Sequence, residues 1–400
     1  MWTLDTQQYL EQWRSRYAQD LTTDILPFWL KHGWDQEHGG VYTCVDRDGN
    51  LMDTTKSVWF QGRCGFIFAY AYNNIEKKQE YLDFSKSCID FIEAHCIDTD
   101  GRMYFEVTGD GQPLRKRRYV FSECFAAIAM AEYAIASGDR SYAEKSLRMF
   151  ESILRFIETP GVLAPKYLPT QPSIGHSVTM ILINTAARVR AAAGDSTILK
   201  EQIDRSLYAI QHYFLQPEYK AVLEMVTPDG KLIDTLNGRV INPGHCIETS
   251  WFIFDEAMYR GGDKDLVNLG LQILDWSWDW GWDETYGGII NFRDCKNLPP
   301  QDYSQDMKFW WPQTEGIIAT LYAYQLTGDT KYLERHRMVN EWAYNHLADP
   351  EHGEWYGYLH RDGTVAQPAK GNLYKGPFHI PRMMIKGYML CQEILKKLEA

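Results

Sequence analysis

No run of about 18 consecutive apolar residues occurs in this chain, so no segment is expected to cross a membrane. No CxxC pair occurs either. The eight cysteines are scattered without a framework, which excludes a zinc ribbon or a disulfide scaffold. Free, mostly buried thiols in a reducing cytoplasm are expected instead. Positive charge is in short supply: 41 Lys+Arg stand against 53 Asp+Glu, a net charge of −12. That disfavours nucleic acid and anionic membranes as partners. The one basic run, Arg115 to Arg118, is short and precedes an apolar helix, so it reads as a solvated loop or a local site element. The first residues, MWTLDTQQYLEQW, lack a basic stretch followed by an apolar one, and no signal peptide is expected. No Pro/Ser-rich linker divides the chain, so residues 1–400 read as a single domain.

Several chemistries lack their sequence signals. No GxGxxG follows a strand, no GxxxxGK[ST] occurs, and no HExxH or Cys/His cluster suggests zinc. No GxSxG elbow is present. A bound nicotinamide, a P-loop nucleotide, a metal and a serine nucleophile are therefore not expected. Acid–base chemistry by His and Glu, assisted by Arg, is left.

What is abundant is aromatic: 14% of residues, including 14 Trp and 25 Tyr. Such rings serve either as core filler or as flat platforms for sugar C–H faces. The chain also repeats itself. GWDQEHGGVYTCVDRDG begins at Gly33 and GWDETYGGIINFRD at Gly281, with related pieces at Gly101–Leu114, Lys220–Asp234 and Gly353–Val365. Each alternates apolar and polar residues around an Asp-Gly or Gly-Gly turn, the pattern of a short β-hairpin. A weaker sixth piece, GVLAPKYLP, starts at Gly161.

Helical patterns lie between these pieces. Amphipathic ones precede them, near Thr6–His32, Tyr81–Cys96, Tyr142–Ile157, Lys200–Phe214, Lys264–Trp280 and Tyr332–His346. Segments apolar nearly all round follow, near Ser57–Asn74, Tyr119–Ser137, Gly175–Ala193, His245–Tyr259, Pro312–Leu326 and Pro377–Leu398. The first kind suits an outer helix and the second a buried inner one. Six of each, at a repeat of roughly 65 residues, predict an all-α (α/α)6 barrel with short hairpins at one end. A closed barrel is preferred to an open solenoid because the inner segments are so apolar.

Parallel inner helices gather their N-termini, with free N–H groups and positive dipole ends, at the end the hairpins wall. The unusual polar residues fall there. Trp59, Gln61 and Arg63 lie in KSVWFQGR, Glu123 in YVFSECF, and His176 opens the third inner helix. His245 and Glu248 open the fourth on one helix face, Lys308, Trp310 and Glu315 sit around the start of the fifth, and His379 and Arg382 open the sixth. Two histidines in one pocket could take a proton from one side of a carbon and return one to the other. His38, His352 and His360 sit in hairpins, read as surface or rim positions. The tryptophans at 276, 278, 280 and 282 read as packing against the hairpin layer.

The segments KSVWFQGR, NPGHCIETSWF, KFWWPQTEGIIATLYAYQLTGD and KGPFHIPR, the last three in order and at family spacing, resemble the N-acylglucosamine 2-epimerase family, and the resemblance covers essentially the full length of the chain. Thr249-Ser250 departs from the Ala-Gly common there, and Pro377 from a small residue or Cys; the Thr-Ser pair is similar to cellobiose 2-epimerases. The resemblance implies reversible interconversion of N-acetylglucosamine and N-acetylmannosamine by ring opening, C2 deprotonation and reprotonation on the opposite face. It implies His379 and His245 as the acid/base pair. Arg63 and Arg382 would stabilise charge on O1 or orient the sugar, and Glu248 and Glu315 would orient the histidines or bind hydroxyls. Trp59, Gln61, Glu123, His176, Trp310 and Lys308 are expected to contact substrate. No cofactor is needed for the chemistry, although relatives make ATP or another nucleotide an expected allosteric effector. The expected partners are a small amino sugar and a second copy of the chain in a homodimer. Alternatives on the same barrel are a cellobiose 2-epimerase, an aldose–ketose isomerase, a two-carboxylate glycoside hydrolase and a sugar-binding protein without turnover.

Overall fold

The computed structural model describes residues 5–399; residues 1–4 and 400, the ends of the expected domain, lie outside them. Inner helices are Val58–Asn74, Phe121–Ser137, His176–Ala193, Pro243–Tyr259, Trp310–Thr327 and His379–Glu399. Outer ones are Gln79–His95, Arg140–Glu158, Thr197–Ala209, Lys264–Gly281 and Thr330–His346, preceded by a run over residues 6–32. That first run is Thr6–Asp20 and Leu26–His32 joined by a π-helical stretch, Leu21–Ile25. The widened stretch lies just upstream of Pro27, whose ring would clash with a regular helical carbonyl.

Each inner helix packs on the next and the sixth returns to the first, so the ring is closed. The outer layer closes too. His336, on the sixth outer helix, takes hydrogen bonds with the Tyr9 and Tyr17 hydroxyls of the first, at 2.8 and 3.1 Å. Burial and the neighbouring Arg337 hold its imidazole neutral, down to about 3. At the far end the helices turn over two to four residues. Gly138 and Gly328 end inner helices with positive φ, and the next residues, Asp139 and Asp329, cap the following outer helices.

At the site end the hairpins interlock the repeats. The strand leading into an inner helix pairs with the hairpin of the following repeat: Lys56–Ser57 with Tyr104–Val107, Val240–Ile241 with Arg293–Asp294, and Lys308–Phe309 with Tyr358–Leu359. Side chains reinforce this collar. Gln61 forms a backbone-like pair with Val41, accepting from its N–H at 2.8 Å and donating to its carbonyl at 2.9 Å. Gln313 repeats the pair on Ile289 at 2.7 and 2.8 Å. Glu123 accepts from the Met103 N–H at 2.9 Å and from Arg102 at 2.7 Å. Buried lysines clasp the same hairpins: Lys56 on Asp35 at 2.6 Å and Lys308 on Asp283 at 3.1 Å.

One stave is missing. The stretch from Gly161, expected to resemble a hairpin, runs as turns and bends without a strand. Pro160, Pro165, Pro169 and Pro172 remove its ladder donors.

The barrel axis carries two levels of side chains. Arg63, Phe125, Ile181, Glu248, Glu315 and His379, one from each inner helix, form the upper level. Seven residues on in each helix, two turns or about 10.5 Å deeper, stand Tyr70, Glu132, Arg188, Asp255, Tyr322 and Lys386. In this lower ring Lys386 donates to both Asp255 oxygens, at 3.2 and 3.0 Å, and Tyr322 donates to Asp255 as well. Arg188 lies 3.5 Å from Asp255, and Asn73 donates to Glu132 at 2.7 Å.

Candidate active site

A cavity of about 580 Å³ opens among the inner-helix starts. Trp59, Arg63, His245, Glu248, Trp310 and His379 all face it. It continues outward into a vestibule of about 610 Å³, with His245, Asn242 and Tyr119 shared between the two. Ala164 to Tyr167, in the stretch without a hairpin, wall that vestibule.

The fourth inner helix starts at Pro243, two residues before the expected His245. Pro243 takes the first helical position, where a missing N–H costs nothing, and the Asn242 side chain accepts from the His245 N–H at 3.1 Å. Gly244 is required because the Trp311 ring lies 2.5 Å from where a Cβ would stand. That closeness lets Trp311 touch both imidazoles, with ring centroids 5.1 Å from His245 and 5.9 Å from His379. The fifth inner helix starts at Trp310, so Pro312 lies inside its first turn, where N–H groups lack partners anyway.

His379 is set by Glu315 and Arg382. Its Nδ1–H donates to Glu315 Oε1 at 2.8 Å, which leaves Nε2 for the cavity. Arg382 Nη2 donates to the same oxygen at 2.7 Å and to Glu248 Oε1 at 2.5 Å. The other Glu315 oxygen accepts from Trp251 Nε1 at 2.8 Å. Burial, with the Arg382 and Arg63 cations beside it, holds His379 well below the usual histidine range.

His245 is set differently. Its Nδ1 faces both oxygens of Glu224, at 3.1 and 3.0 Å. Burial alone would lower it, but Glu224, with Glu248 and Glu315 further off, raises it above the usual value. Glu224 was not among the expected residues. It lies in the segment KAVLEMV, at the bend between the short strands Ala221–Val222 and Met225–Val226, flanked in sequence by the apolar Leu223 and Met225. That alternation was the available signal. Glu248, expected to orient a histidine or bind a hydroxyl, accepts from Arg382 and lies on the cavity wall.

Arg63 completes the pocket. Its guanidinium lies 4.2 Å from the Phe125 ring centroid and 4.7 Å from that of Phe378, and its buried Nε has no hydrogen-bond partner. Burial pushes it down to about 9, against the pull of Glu248. A sequestered cation of this kind favours an incoming or developing anion. The indole N–H groups of Trp59 and Trp310 are likewise buried without partners and lie on the cavity wall.

The other expected contacts are elsewhere. Gln61, Glu123 and Lys308 are fully buried in the collar and engaged with hairpin backbone or ion pairs, with Glu123 Oε2 left unpartnered, so the structure does not bring them to the cavity. Inner-helix starts attract polar residues for two reasons, and sequence cannot separate a staple from a substrate ligand. His176 is also fully buried and lies behind Glu224, 3.4 Å from its Oε1. Trp278 and Trp282 stack on each other in the hairpin layer, with centroids 4.8 Å apart.

Glu248, Glu315 and His379 place ligand atoms within 4.8 Å of one another, a spacing that could hold a cation. The Arg382 guanidinium already bridges the two carboxylates. All eight cysteines are free and buried, and no helix among the described residues is long and apolar enough to cross a membrane.

The fold and site define a helical barrel whose inner-helix starts carry an imidazole pair and a sequestered arginine. A family model described as N-acylglucosamine 2-epimerase (GlcNAc 2-epimerase) matches residues 40–376. The N-acylglucosamine 2-epimerase of Bos taurus is 36% identical over 98% of this chain and 93% of its own length. That of Rattus norvegicus is 34% identical over 96% and 92%. The solved cellobiose 2-epimerase of Bacillus thermoamylovorans superposes with a TM-score of 0.84 at 20% identity, over 95% of this chain and 99% of that one. The chain belongs to the N-acylglucosamine 2-epimerase family.

Proposed function

We propose that this protein is a 2-epimerase that interconverts N-acetylglucosamine and N-acetylmannosamine, with residues 1–400 as one catalytic domain. The observation that carries this reading is the pair of imidazoles facing one cavity with opposite electrostatic settings, beside an arginine that lacks a carboxylate partner.

The opened sugar presents its C1 aldehyde to Arg63. One histidine Nε2 takes the C2 proton as the C–H electron pair moves into the C1–C2 bond and the carbonyl pair onto O1. Arg63 meets the charge growing on O1. Arg382 holds Glu248 and Glu315 in place, and Glu315 keeps His379 Nε2 free to work. The second histidine delivers its proton to the other face of C2, which inverts it. Trp59 and Trp310 offer N–H donors to sugar hydroxyls, while Phe125 and Ile181 give C–H faces an apolar wall.

The reading makes an amino sugar the small-molecule partner, a reducing cytoplasm the workplace, and the chemistry independent of metal or cofactor. A nucleotide effector and a homodimer belong to it through the family alone; nucleotide titration and sedimentation check them. A second reading, 2-epimerisation of a β-1,4-linked disaccharide, is favoured by the vestibule, which offers room for another ring.

Proton NMR of N-acetylmannosamine with enzyme in heavy water tests the proposal, run beside cellobiose and mannose. Early product should be N-acetylglucosamine carrying deuterium at C2. Product that keeps its original proton would exclude the two-histidine exchange, and turnover of cellobiose alone would install the second reading.

A further inference from the structure

We propose that Glu224 is a positioning residue that locks His245 with Nδ1–H toward the collar and Nε2 toward the substrate, so that His245 rests as the proton-bearing member of the pair. The inference rests on the epimerase reading for its kinetic consequences, but not for its geometry.

The carboxylate is held from every side. The Glu224 N–H donates to the Val240 carbonyl and its own carbonyl accepts from the His176 N–H, both at 3.1 Å. The backbone is thus pinned between the strand entering the fourth inner helix and the start of the third. Its Oε1 lies 3.4 Å from His176 Nδ1, while His176 Nε2 stands 3.1 Å from the Thr249 hydroxyl. Thr249 in turn donates to the His245 carbonyl at 2.8 Å. His245, His176 and the backbone bonds to Val240 and His176 therefore surround Glu224 and leave the carboxylate little freedom to swing away.

The charges around His245 agree with this placement. Glu224 faces it from the hairpin, Glu248 from its own helix and Glu315 from the fifth inner helix, and the Trp311 ring is in contact with both His245 and His379. Burial would raise the Glu224 carboxyl, yet His245 and His176 hold it far below the ordinary carboxylate range. The Glu224 carboxylate thus favours the protonated form of the His245 ring it faces.

A consequence follows for the free enzyme. Each turnover moves a proton onto one histidine and takes one from the other. The epimer whose C2–H faces His379 meets the resting form directly. Its reaction leaves the proton on His379, and the free enzyme must return it to His245 before the next identical turnover.

The test is histidine titration by NMR on labelled full-length protein, with His245 assigned by its loss in His245→Asn. In the wild type, His245 should stay charged to a pH above the ordinary value of about 6.5. In Glu224→Gln its midpoint should fall by about one pH unit or more, and the Nδ1-protonated tautomer should no longer dominate. The alkaline limb of kcat/KM should move down with it, and kcat/KM should fall about 10–10³-fold, within the range of acid–base contributions. The fall must be equal in both directions, because the overall equilibrium is fixed. Glu224→Asp should recover part of both effects. A His245 midpoint and alkaline limb unchanged in a folded Glu224→Gln would overturn the proposal even if activity dropped. If Glu224→Gln does not fold, a wild-type His245 that titrates at or below the ordinary value overturns it alone. A raised wild-type midpoint in a protein that epimerises no sugar would leave Glu224 in its role and remove the substrate reading.

Discussion

The two levels of the barrel axis are built by the same helices, on the same faces, two turns apart, and they behave as opposites. In the lower ring Asp255 is shared among Lys386, Tyr322 and Arg188, and Glu132 is met by Asn73. Its carboxylates each meet a donor from the fold, although Arg188 Nε is buried without one. The upper level keeps Arg63 without a carboxylate partner and turns two imidazole nitrogens to the cavity. Similar residue types therefore stabilise the protein at one depth and are held ready for substrate at the other. What differs is whether the complement of each charge comes from the fold or from outside it.

Substitutions at the two levels should separate accordingly. The largest effect is expected at the top: His379→Asn and His245→Asn should each lower turnover about 10²–10⁴-fold while melting close to wild type. Near-normal turnover in either would remove that residue from the chemistry. At the bottom, Asp255→Asn should cost about 3–5 kcal/mol of stability by stranding Lys386 and Arg188. Chemical denaturation reads this, and the folded fraction should keep its kcat. An Asp255→Asn protein as stable as wild type but slow would erase the contrast. In the collar, Gln61→Leu should cost about 2–3 kcal/mol by leaving the Val41 N–H and carbonyl unpaired. Its KM should hold within a few-fold, whereas a selective rise in KM would return Gln61 to the substrate site.

The smallest effect is on pH dependence, and it sharpens the difference between the histidines. His379 lies below the ordinary histidine value and His245 above it. Falling pH ends activity by protonating His379, which removes the base. Rising pH ends it by deprotonating His245, which removes the acid. The profile of kcat/KM should therefore be a broad plateau straddling about pH 6.5, identical in both directions. A narrow bell centred there would mean that the two imidazoles titrate alike.

The helices were legible in sequence because inner and outer segments differ so sharply in apolar content. Each observed helix overlaps its expected span, with ends differing by a few residues where Asn242 or Trp310 decides the start. Arg63, Glu248, Glu315, His379 and Arg382 were legible as polar intruders in apolar helix starts. Gln61, Glu123 and Lys308 carry the same signal for a different reason, since each holds hairpin backbone or a buried counter-ion. Glu224 was hidden because a charged residue in a short alternating segment reads as solvent-facing, whereas the chain bends at Glu224 between two short strands. Only the third dimension shows that its outward face is turned toward two histidines. The lower ring was hidden in plain spacing: a seven-residue step repeated in every inner helix, unreadable until the upper member was known to face the axis.

The missing stave bears on how this enzyme could change over generations. Elsewhere the collar is cross-paired from repeat to repeat, so an altered hairpin disturbs its neighbour and the helix start it feeds. The strandless stretch from Gly161, whose residues 164–167 border the vestibule, carries no such obligation. Insertions, deletions and loop exchanges there alter what can enter while the imidazole pair stays untouched. Substrate range in this protein is thus the trait most exposed to drift and most open to directed evolution, with libraries confined to one surface loop.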